Sequence, residues 1–158
     1  MVKSPDKVKY SSARLMSVQA VYFQSLTGED WDKVASRFLM GEIGGSALIE
    51  TSNGEEKIML QPADAPLFTR ILRVMKEQGE MVQEVLVSAL SDPKLFDQME
   101  PTLKSILKAG IAEFYANANL DAPIILSEYV EITRSFYSGG ETKMVNALLD
   151  KIAKVVRG

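Results

Sequence analysis

The sequence predicts an all-α fold, a compact bundle of six to seven helices. Apolar residues recur three and four positions apart along most of the 158 residues, which is the spacing of one helix face. Asp-Ala-Pro occurs at 64–66 and again at 121–123, and each copy places a capping acid before a proline suited to a first helical turn. Each apolar face must be covered by another helix, so a bundle is expected.

The predicted helices follow one another with short connections. A first helix is expected from near Ser12 to Thr27, after a flexible basic arm over residues 1–10. A second helix runs through Trp31, and a long third helix follows Asp64 with a kink expected at Gly79. The apolar stripes expected in the core of the later helices are Phe68, Ile71, Leu72, Met75, Val82, Leu86 and Ala89; Leu103, Ile106, Leu107, Ile111 and Phe114; Ile125, Tyr129, Ile132 and Phe136; and Met144, Val145, Leu148, Leu149, Ile152 and Val156.

Residues 41–62 lack helical periodicity and are rich in glycine. The pair Asn53-Gly54 favours a tight turn, which could join two short strands at 47–51 and 57–60. An isolated pair of strands is only marginally stable, so an irregular surface loop is the favoured interpretation. The hairpin stays open as the alternative.

The composition excludes several kinds of catalytic site. The chain has no cysteine and no histidine, so disulfides, thiolate nucleophiles, Cys/His zinc sites and Ser-His-Asp relays cannot be built. Glu128 and Glu131 lie one helical turn apart, but such a pair is more typical of a solvated face, and Glu131 can pair with Arg134. We therefore expect no catalytic residue, no metal, no cofactor and no enzymatic activity.

The charge balance argues against a chain that coats nucleic acid. The net charge is -3 and the isoelectric point is near 5.1, so any nucleic-acid contact must come from a local basic patch. No apolar run approaches the roughly 20 residues that span a bilayer, and the first ten residues lack the apolar stretch of a signal peptide. We expect a cytoplasmic protein without membrane contact.

Basic residues gather at the start of the chain, with Asp6 as the one acid among the first fourteen residues. They are Lys3, Lys7, Lys9 and Arg14. A basic arm before a helix is a common way to contact phosphates, although composition alone favours a merely solvated tail. Tyr10 and Tyr22 could stack on unpaired bases. Tyr22 lies on the apolar face, where a core position is the commoner outcome.

Five segments resemble the NusB family, in order and at the family's distances. Ser127-Glu-Tyr-Val-Glu-Ile-Thr-Arg-Ser-Phe136 resembles its Asn-Glu-Ala-(Val/Ile)-Glu-(Leu/Ile)-Ala-Lys-x-Phe. Lys143-Met-Val-Asn-Ala-Leu-Leu-Asp150 resembles its Lys-Phe-Val-Asn-Gly-Val-Leu-Asp. The other matching segments are Ala13-Arg14 with Val18-Gln-Ala-Val-Tyr22, Ile106-Leu-Lys-Ala-Gly-Ile-Ala-Glu-Phe114, and Asp121-Ala-Pro123. The match is weakest between residues 38 and 64.

The resemblance implies a single domain over residues 1–158, made of two packed helical subdomains. It also implies a role in transcription antitermination and termination, especially of ribosomal RNA operons. Family members pair with NusE, a protein of the small ribosomal subunit. The pair binds a short single-stranded RNA element called boxA and joins elongating RNA polymerase. Both monomers and homodimers occur in the family, so the oligomeric state stays open.

The resemblance also indicates which residues face RNA. They are expected to be Lys3, Lys7, Lys9, Arg14, Gln19, Tyr22 and Lys143. The first four would contact phosphates, while Gln19 and Tyr22 match family positions in the first helix. For Lys143, a solvated charge near the start of the last helix is an equally good interpretation. The resemblance places the NusE surface on the central and C-terminal helices without assigning residues.

Several positions depart from the family pattern. Tyr10-Ser-Ser12 stands where the family has an arginine cluster, while Ser127, Met144 and Gly140 replace its asparagine, phenylalanine and acid. Lysine lacks the planar fork of arginine, so contacts through lysine would be looser and more salt-sensitive. A protein-interaction module that keeps the NusE contact with weak or lost RNA binding is therefore the alternative. An RNA-modifying enzyme is disfavoured, since the chain leaves no room for a cofactor-binding catalytic part.

Overall fold

The computed structural model describes residues 5–43, 46–51, 54–59 and 63–158. Within these residues lie seven helices and one antiparallel hairpin. In chain order the elements are α1 (Pro5–Thr27), α2 (Trp31–Leu39), β1 (Ser46–Thr51), β2 (Gly54–Met59), α3 (Ala65–Ala89), α4 (Leu95–Gln98), α5 (Pro101–Ala116), α6 (Ala122–Phe136) and α7 (Glu141–Arg157). The predicted helical bundle is confirmed, with the hairpin added to it.

Helix α5 lies at the centre of the bundle, where it packs against α1, α3, α6 and α7. Helices α1, α2 and α3 pack on one another on one side of it, and α6 packs on α7 on the other. Because α5 has neighbours on several sides, 10 of its 16 residues are buried. This position explains why its sequence is apolar over more than one face.

The apolar stripes predicted for the later helices are buried almost throughout. The fully buried members of these stripes include Phe68, Ile71, Leu86, Ile106, Leu107, Ile111, Phe114, Ile125, Tyr129, Leu149 and Ile152. Three members, Ile132, Met144 and Val156, are partly buried, and Phe136 is 49% exposed as the last residue of α6. Helical periodicity gives the direction of a side chain but does not show where the covering helices stop.

Helix α1 begins at Pro5, so the flexible arm predicted for residues 1–10 is wrong for residues 5–10. Proline already has the φ angle of a first helical turn and has no N–H to leave unpaired there. The start of the helix is also tied to α3, because the N–H of Asp64 donates to the carbonyl oxygen of Lys9 at 3.1 Å. Lys3 lies outside the described residues.

Local signals in the sequence set the ends and the bend of the long helices. Gly28 follows α1 with φ of 68°, a left-handed conformation that favours glycine. Asp64 caps α3, since its Oδ2 accepts from the N–H of Leu67 at 2.9 Å. Gln78 has φ of -136° and ψ of 28° directly before Gly79, which confirms the kink expected there.

The hairpin corrects the interpretation of residues 41–62. Strand β1 pairs antiparallel with β2, from Ser46 opposite Met59 to Thr51 opposite Gly54. The irregular loop favoured from the sequence is wrong for these strands, because their backbone groups pair with each other. Asn53 of the predicted Asn53-Gly54 turn lies outside the described residues, and Gly54 is the first residue of β2.

Gly110 allows the central helix to approach its neighbours closely. A Cβ at this position would lie 3.2 Å from Cδ1 of Leu149 on α7 and 3.3 Å from Cγ of Tyr129 on α6. Both neighbouring side chains are fully buried, so neither can move aside into solvent. The absence of a side chain at Gly110 therefore sets the spacing among α5, α6 and α7.

Replacing Gly110 with alanine is expected to destabilise the protein by about 1 kcal/mol. Overpacking costs roughly 1–3 kcal/mol, and the better helix propensity of alanine offsets about 1 kcal/mol of it. Gly79→Ala is the matched control, because a Cβ there meets nothing within 4 Å and the variant should be as stable as the parent or more so. Urea denaturation midpoints measure both, and equal midpoints would contradict the packing explanation.

Candidate nucleic-acid interface

Arg14, predicted to contact phosphate, lies inside the bundle with 4% of its surface exposed. Its Nε donates to both carboxylate oxygens of Glu113, at 2.9 and 3.1 Å, and its Nη2 donates to Oε2 at 2.9 Å. Burial would lower the pKa of this guanidinium, but the hydrogen bond and charge of Glu113 outweigh it and raise the pKa above its usual value. The prediction is corrected: Arg14 is a core residue that ties α1 to α5.

Glu113 is the centre of this buried polar network. Besides Arg14, its carboxylate accepts from the hydroxyl of Tyr129 at 2.8 Å and from Nδ2 of Asn117 at 3.1 Å. Burial, followed by the charge of Glu113, raises the pKa of Tyr129 well above its usual value, so the phenol stays protonated and donates. The carboxylate is thus desolvated but fully hydrogen-bonded, as a buried charge requires.

Sequence reasoning did not identify Glu113 as a structural residue. The available signal was its spacing, since Glu113 follows Ile106 and Gly110 at i+7 and i+3 on the buried face of α5. A lone acid on an apolar stripe requires a buried cation or donor nearby. The sequence does not show which of its 18 lysines and arginines supplies that partner.

Glu128 extends the network toward the surface between α1 and α6. Its Oε2 accepts from the hydroxyl of Ser11 at 3.2 Å and lies 3.8 Å from Nη1 of Arg14. Glu128 therefore belongs to the contact between α1 and α6.

Lys7 and Lys9 are exposed near the start of α1. Nζ of Lys9 lies 3.8 Å from Oδ1 of Asp64, and half of the Lys9 side chain remains exposed. The two lysines are two positions apart on a helix, so their side chains project about 160° away from each other. They flank the amino-terminal end of α1 rather than form one compact patch.

Gln19 and Tyr22 lie farther along α1. Tyr22 is 36% exposed, so it is not in the core, where its place on the apolar stripe had suggested it would be. Gln19 is half-buried, and its Oε1 has no hydrogen-bond partner among the residues that the structure describes. On an ideal helix, Lys7 and Tyr22 project within about 60° of each other, so they share one side of α1.

The orientation of α1 follows from its contacts with α5. Arg14 in the first half of α1 meets Glu113 near the end of α5. Leu26 near the end of α1 lines the same cavity as Lys104 in the first turn of α5. The two helices are therefore antiparallel, and Lys7 and Lys9 lie beside the carboxyl end of α5.

Lys143 lies at the opposite end of the bundle. Helix α7 runs parallel to α5, because Arg157 in its last turn donates to the carbonyl oxygen of Phe114 near the end of α5. Lys143 is exposed in the first turn of α7, level with the start of α5. The 16 residues of α5 span about 24 Å. Because Lys143 and Lys9 lie at opposite ends of α5, they are separated by a similar distance.

No group of three or more His, Cys, Asp or Glu side chains among the described residues is placed to hold a metal ion. No helix in the described part of the chain is long and apolar enough to cross a membrane.

Comparisons with known proteins point to one family. A model of the NusB family matches residues 11–154. The chain is 33% identical over 163 residues to the transcription antitermination protein NusB of Rhodospirillum rubrum, covering 98% of this chain and 88% of that protein. It is 31% identical over 150 residues to the transcription antitermination protein NusB of Mesorhizobium japonicum, covering 95% of this chain and 92% of that protein.

A solved structure of NusB from T. maritima has a similar fold. It superposes with a TM-score of 0.69 at 18% sequence identity, covering 98% of this chain and 93% of that chain. At this identity the likeness bears on the fold alone. It agrees with the helical bundle described above.

Proposed function

Because the chain belongs to the NusB family of transcription antitermination factors, we propose that it binds boxA-type single-stranded RNA together with NusE. In this role it supports transcription of ribosomal RNA operons by joining the elongating polymerase in the cytoplasm. The proposed activity is binding and not catalysis. The main observation that supports the proposed RNA contact is the exposure of Lys7 and Lys9 at the amino-terminal end of α1.

The start of α1 suits phosphate for two physical reasons. Exposed lysines attract phosphate as point charges, and they tolerate the variable geometry of a single strand. The amino-terminal end of a helix also carries a partial positive charge that adds to the attraction. Because Lys7 and Lys9 project to different sides, the strand is expected to pass over the end of α1, with Lys3 adding to the same contact.

The remaining proposed contacts extend from this end of the bundle. A strand that follows α1 from Lys7 reaches Tyr22, whose exposed ring offers a stacking surface for an unpaired base. Gln19, one turn before Tyr22, is half-buried and its unpaired Oε1 is enclosed, so it has the least support among the proposed base contacts. Lys143 lies at the far end of α5, so it would contact a phosphate farther along the RNA.

Removing both lysines in Lys7→Ala/Lys9→Ala is expected to weaken binding of a boxA-type strand about tenfold and to make binding less sensitive to salt. Each lost phosphate contact should reduce the slope of log K against log salt by about 0.7, so the double variant should lose about 1.4. Fluorescence anisotropy over a salt series, with and without NusE, measures both quantities.

The matched control is Lys33→Ala/Lys76→Ala, which removes the same charge from exposed positions on α2 and α3. It should leave the salt slope unchanged. A slope that falls equally in both variants would contradict a contact at the start of α1. If the parent protein shows no binding at low salt, with or without NusE, the RNA role itself is wrong.

A protein-interaction module that keeps NusE but binds RNA weakly or not at all is the second candidate. The burial of Arg14 and the approach of Asp64 to Lys9 favour it, because both reduce the positive charge offered to phosphate. This candidate predicts that the protein co-purifies with NusE while the anisotropy of the labelled RNA stays constant. The proposed RNA role predicts an increase in anisotropy on the same samples.

A further inference from the structure

Two lysines of α5 share one aromatic ring at a site that the proposed RNA contacts do not use. Lys104 and Lys108 lie one turn apart, and their Nζ atoms are 4.3 and 5.4 Å from the ring centroid of Phe96 on α4. The ring attracts both ammonium groups and holds them on the same side of α5. Lys104 lies in the first turn of α5, where the positive end of the helix dipole favours anions.

Among the residues that the structure describes, this pair carries positive charge without a bound counter-charge. No described carboxylate lies within 4.0 Å of either ammonium group. Lys108 donates to Oε1 of Gln83 on α3 at 3.2 Å, which leaves further N–H donors on the same nitrogen. Burial and then the charge of Lys104 lower the pKa of Lys108, and an anion placed between the two lysines would oppose both effects.

The two lysines border a groove between α1, α3 and α5 that consists of two adjoining cavities. A cavity of about 280 Å³ contains Lys104, Lys108, Phe96 and Leu26. A second cavity of about 540 Å³ shares Lys108 with it and reaches Trp31 on α2. Together they fall within the range of roughly 300–1,000 Å³ typical of small-ligand sites.

The larger cavity has polar groups suited to the edge of a base. Nε2 of Gln24 already donates to the carbonyl oxygen of Glu29 and Oε1 of Gln83 accepts from Lys108, so Gln24 chiefly offers an acceptor and Gln83 a donor. The carboxylates of Glu80 and Glu84 can only accept. Acceptors of this kind pair with an exocyclic amino group, as carboxylates do with cytosine. The same two carboxylates repel a chain of phosphates, so the groove suits one nucleotide better than a continuous strand.

We propose that this groove binds a single nucleotide with an amino-bearing base, its phosphate between Lys104 and Lys108 and its base in the cavity beside Trp31. The ligand class is an adenine or cytosine nucleotide, either free or as one residue of an RNA. The site is separate from Lys7 and Lys9, so the inference goes beyond the proposed function and is tested independently of it.

Trp31 is the single tryptophan of the chain, so its fluorescence reports on the larger cavity. Titration with AMP and CMP is expected to change the emission saturably, with dissociation constants below about 1 mM. Adenosine and inorganic phosphate should each bind at least tenfold more weakly, and UMP should bind more weakly than CMP. No saturable change with AMP or CMP, or equal binding of inorganic phosphate, would overturn the proposal.

Alanine variants of the two lysines test whether the phosphate of the nucleotide binds between them. Lys104→Ala and Lys108→Ala should each weaken AMP binding at least fivefold, whereas Lys154→Ala, which removes one exposed lysine from α7, should change it less than twofold. Circular dichroism melts verify the fold, and Lys108→Gln replaces Lys108→Ala if the alanine variant is unstable. Unchanged affinity in folded Lys104 and Lys108 variants would overturn the site.

A competition experiment then identifies the source of the nucleotide. Short single-stranded RNA with an adenosine or cytidine end should displace AMP if the site holds one residue of an RNA, and should fail to displace it if the ligand is a free nucleotide. The Lys7→Ala/Lys9→Ala variant should bind AMP like the parent protein. This separates failure of the nucleotide site from failure of the proposed RNA contact.

Discussion

Replacing Glu113 with alanine is expected to destabilise the protein by about 3–5 kcal/mol, the range observed when one partner of a buried ion pair is removed. The substitution leaves the Arg14 guanidinium charged and buried, with Glu128 too distant at 3.8 Å to replace the lost hydrogen bonds. It also removes the acceptor of the buried Tyr129 hydroxyl. Urea denaturation followed by circular dichroism measures the change in the free energy of unfolding.

Two further variants distinguish the loss of one partner of a buried ion pair from the loss of an exposed ion pair. Glu131→Ala breaks the exposed pair with Arg134 and should cost less than about 1 kcal/mol. Arg14→Met/Glu113→Gln removes both charges, keeps an acceptor for Tyr129, and should recover most of the stability that Glu113→Ala loses. If Glu113→Ala is no less stable than Glu131→Ala, the buried network does not hold α1 to α5 as described.

Replacing Arg157 with alanine is expected to destabilise the protein by about 2–3 kcal/mol, a typical value for losing charged hydrogen bonds. Its guanidinium donates to the carbonyl oxygens of Phe114, Asn117 and Leu120, at distances from 2.6 to 3.0 Å. These carbonyls lie at and beyond the end of α5, where the helix provides no N–H partners for them. The carbonyl of Asn117 also accepts from the N–H of Leu120 at 3.0 Å. The positive charge also complements the negative end of the helix dipole. Thermal melts measure the loss.

The planar guanidinium group of Arg157, and not its charge alone, is expected to account for this stabilisation. Arg157→Lys keeps the charge but presents a single ammonium group, which cannot serve three separated carbonyls, so it should lose most of the same stability. Lys154→Ala, on the same helix, breaks only an exposed pair with Asp150 and should cost less than about 0.5 kcal/mol. Equal melting temperatures for the Arg157→Ala and Lys154→Ala variants would show that the carbonyl contacts contribute little.

The helices were predictable because their signals are local. The stripe from Phe68 to Ala89 on α3 and the cap at Asp64 depend on residues a few positions apart, and both are confirmed. The hairpin was harder to predict because its stability depends on pairing between strands. The start of α1 was missed because the charges before Ser12 suggested a solvated arm, whereas Pro5 begins a helix that α3 contacts through Lys9 and Asp64.

The candidate site was predictable only in part. Lys7, Lys9 and Lys143 are exposed, as a binding role requires, and a charged residue on a polar face is usually solvated. Their separation could not be read from the sequence, because it depends on α1 being antiparallel to α5 while α7 is parallel to it. The groove with Lys104 and Phe96 was missed for the same reason, since α4 and α5 meet there only in the fold.

The amino-acid sequence alone determined the helical class, the buried stripes, the absence of cysteine and histidine chemistry, and membership of the family. These properties depend on composition and on spacing within one helix. Only the tertiary structure decided that Arg14 serves the core while Lys7 and Lys9 remain outside. A cation on an amphipathic helix is paired or solvated according to what the neighbouring helix presents, and here α5 presents Glu113.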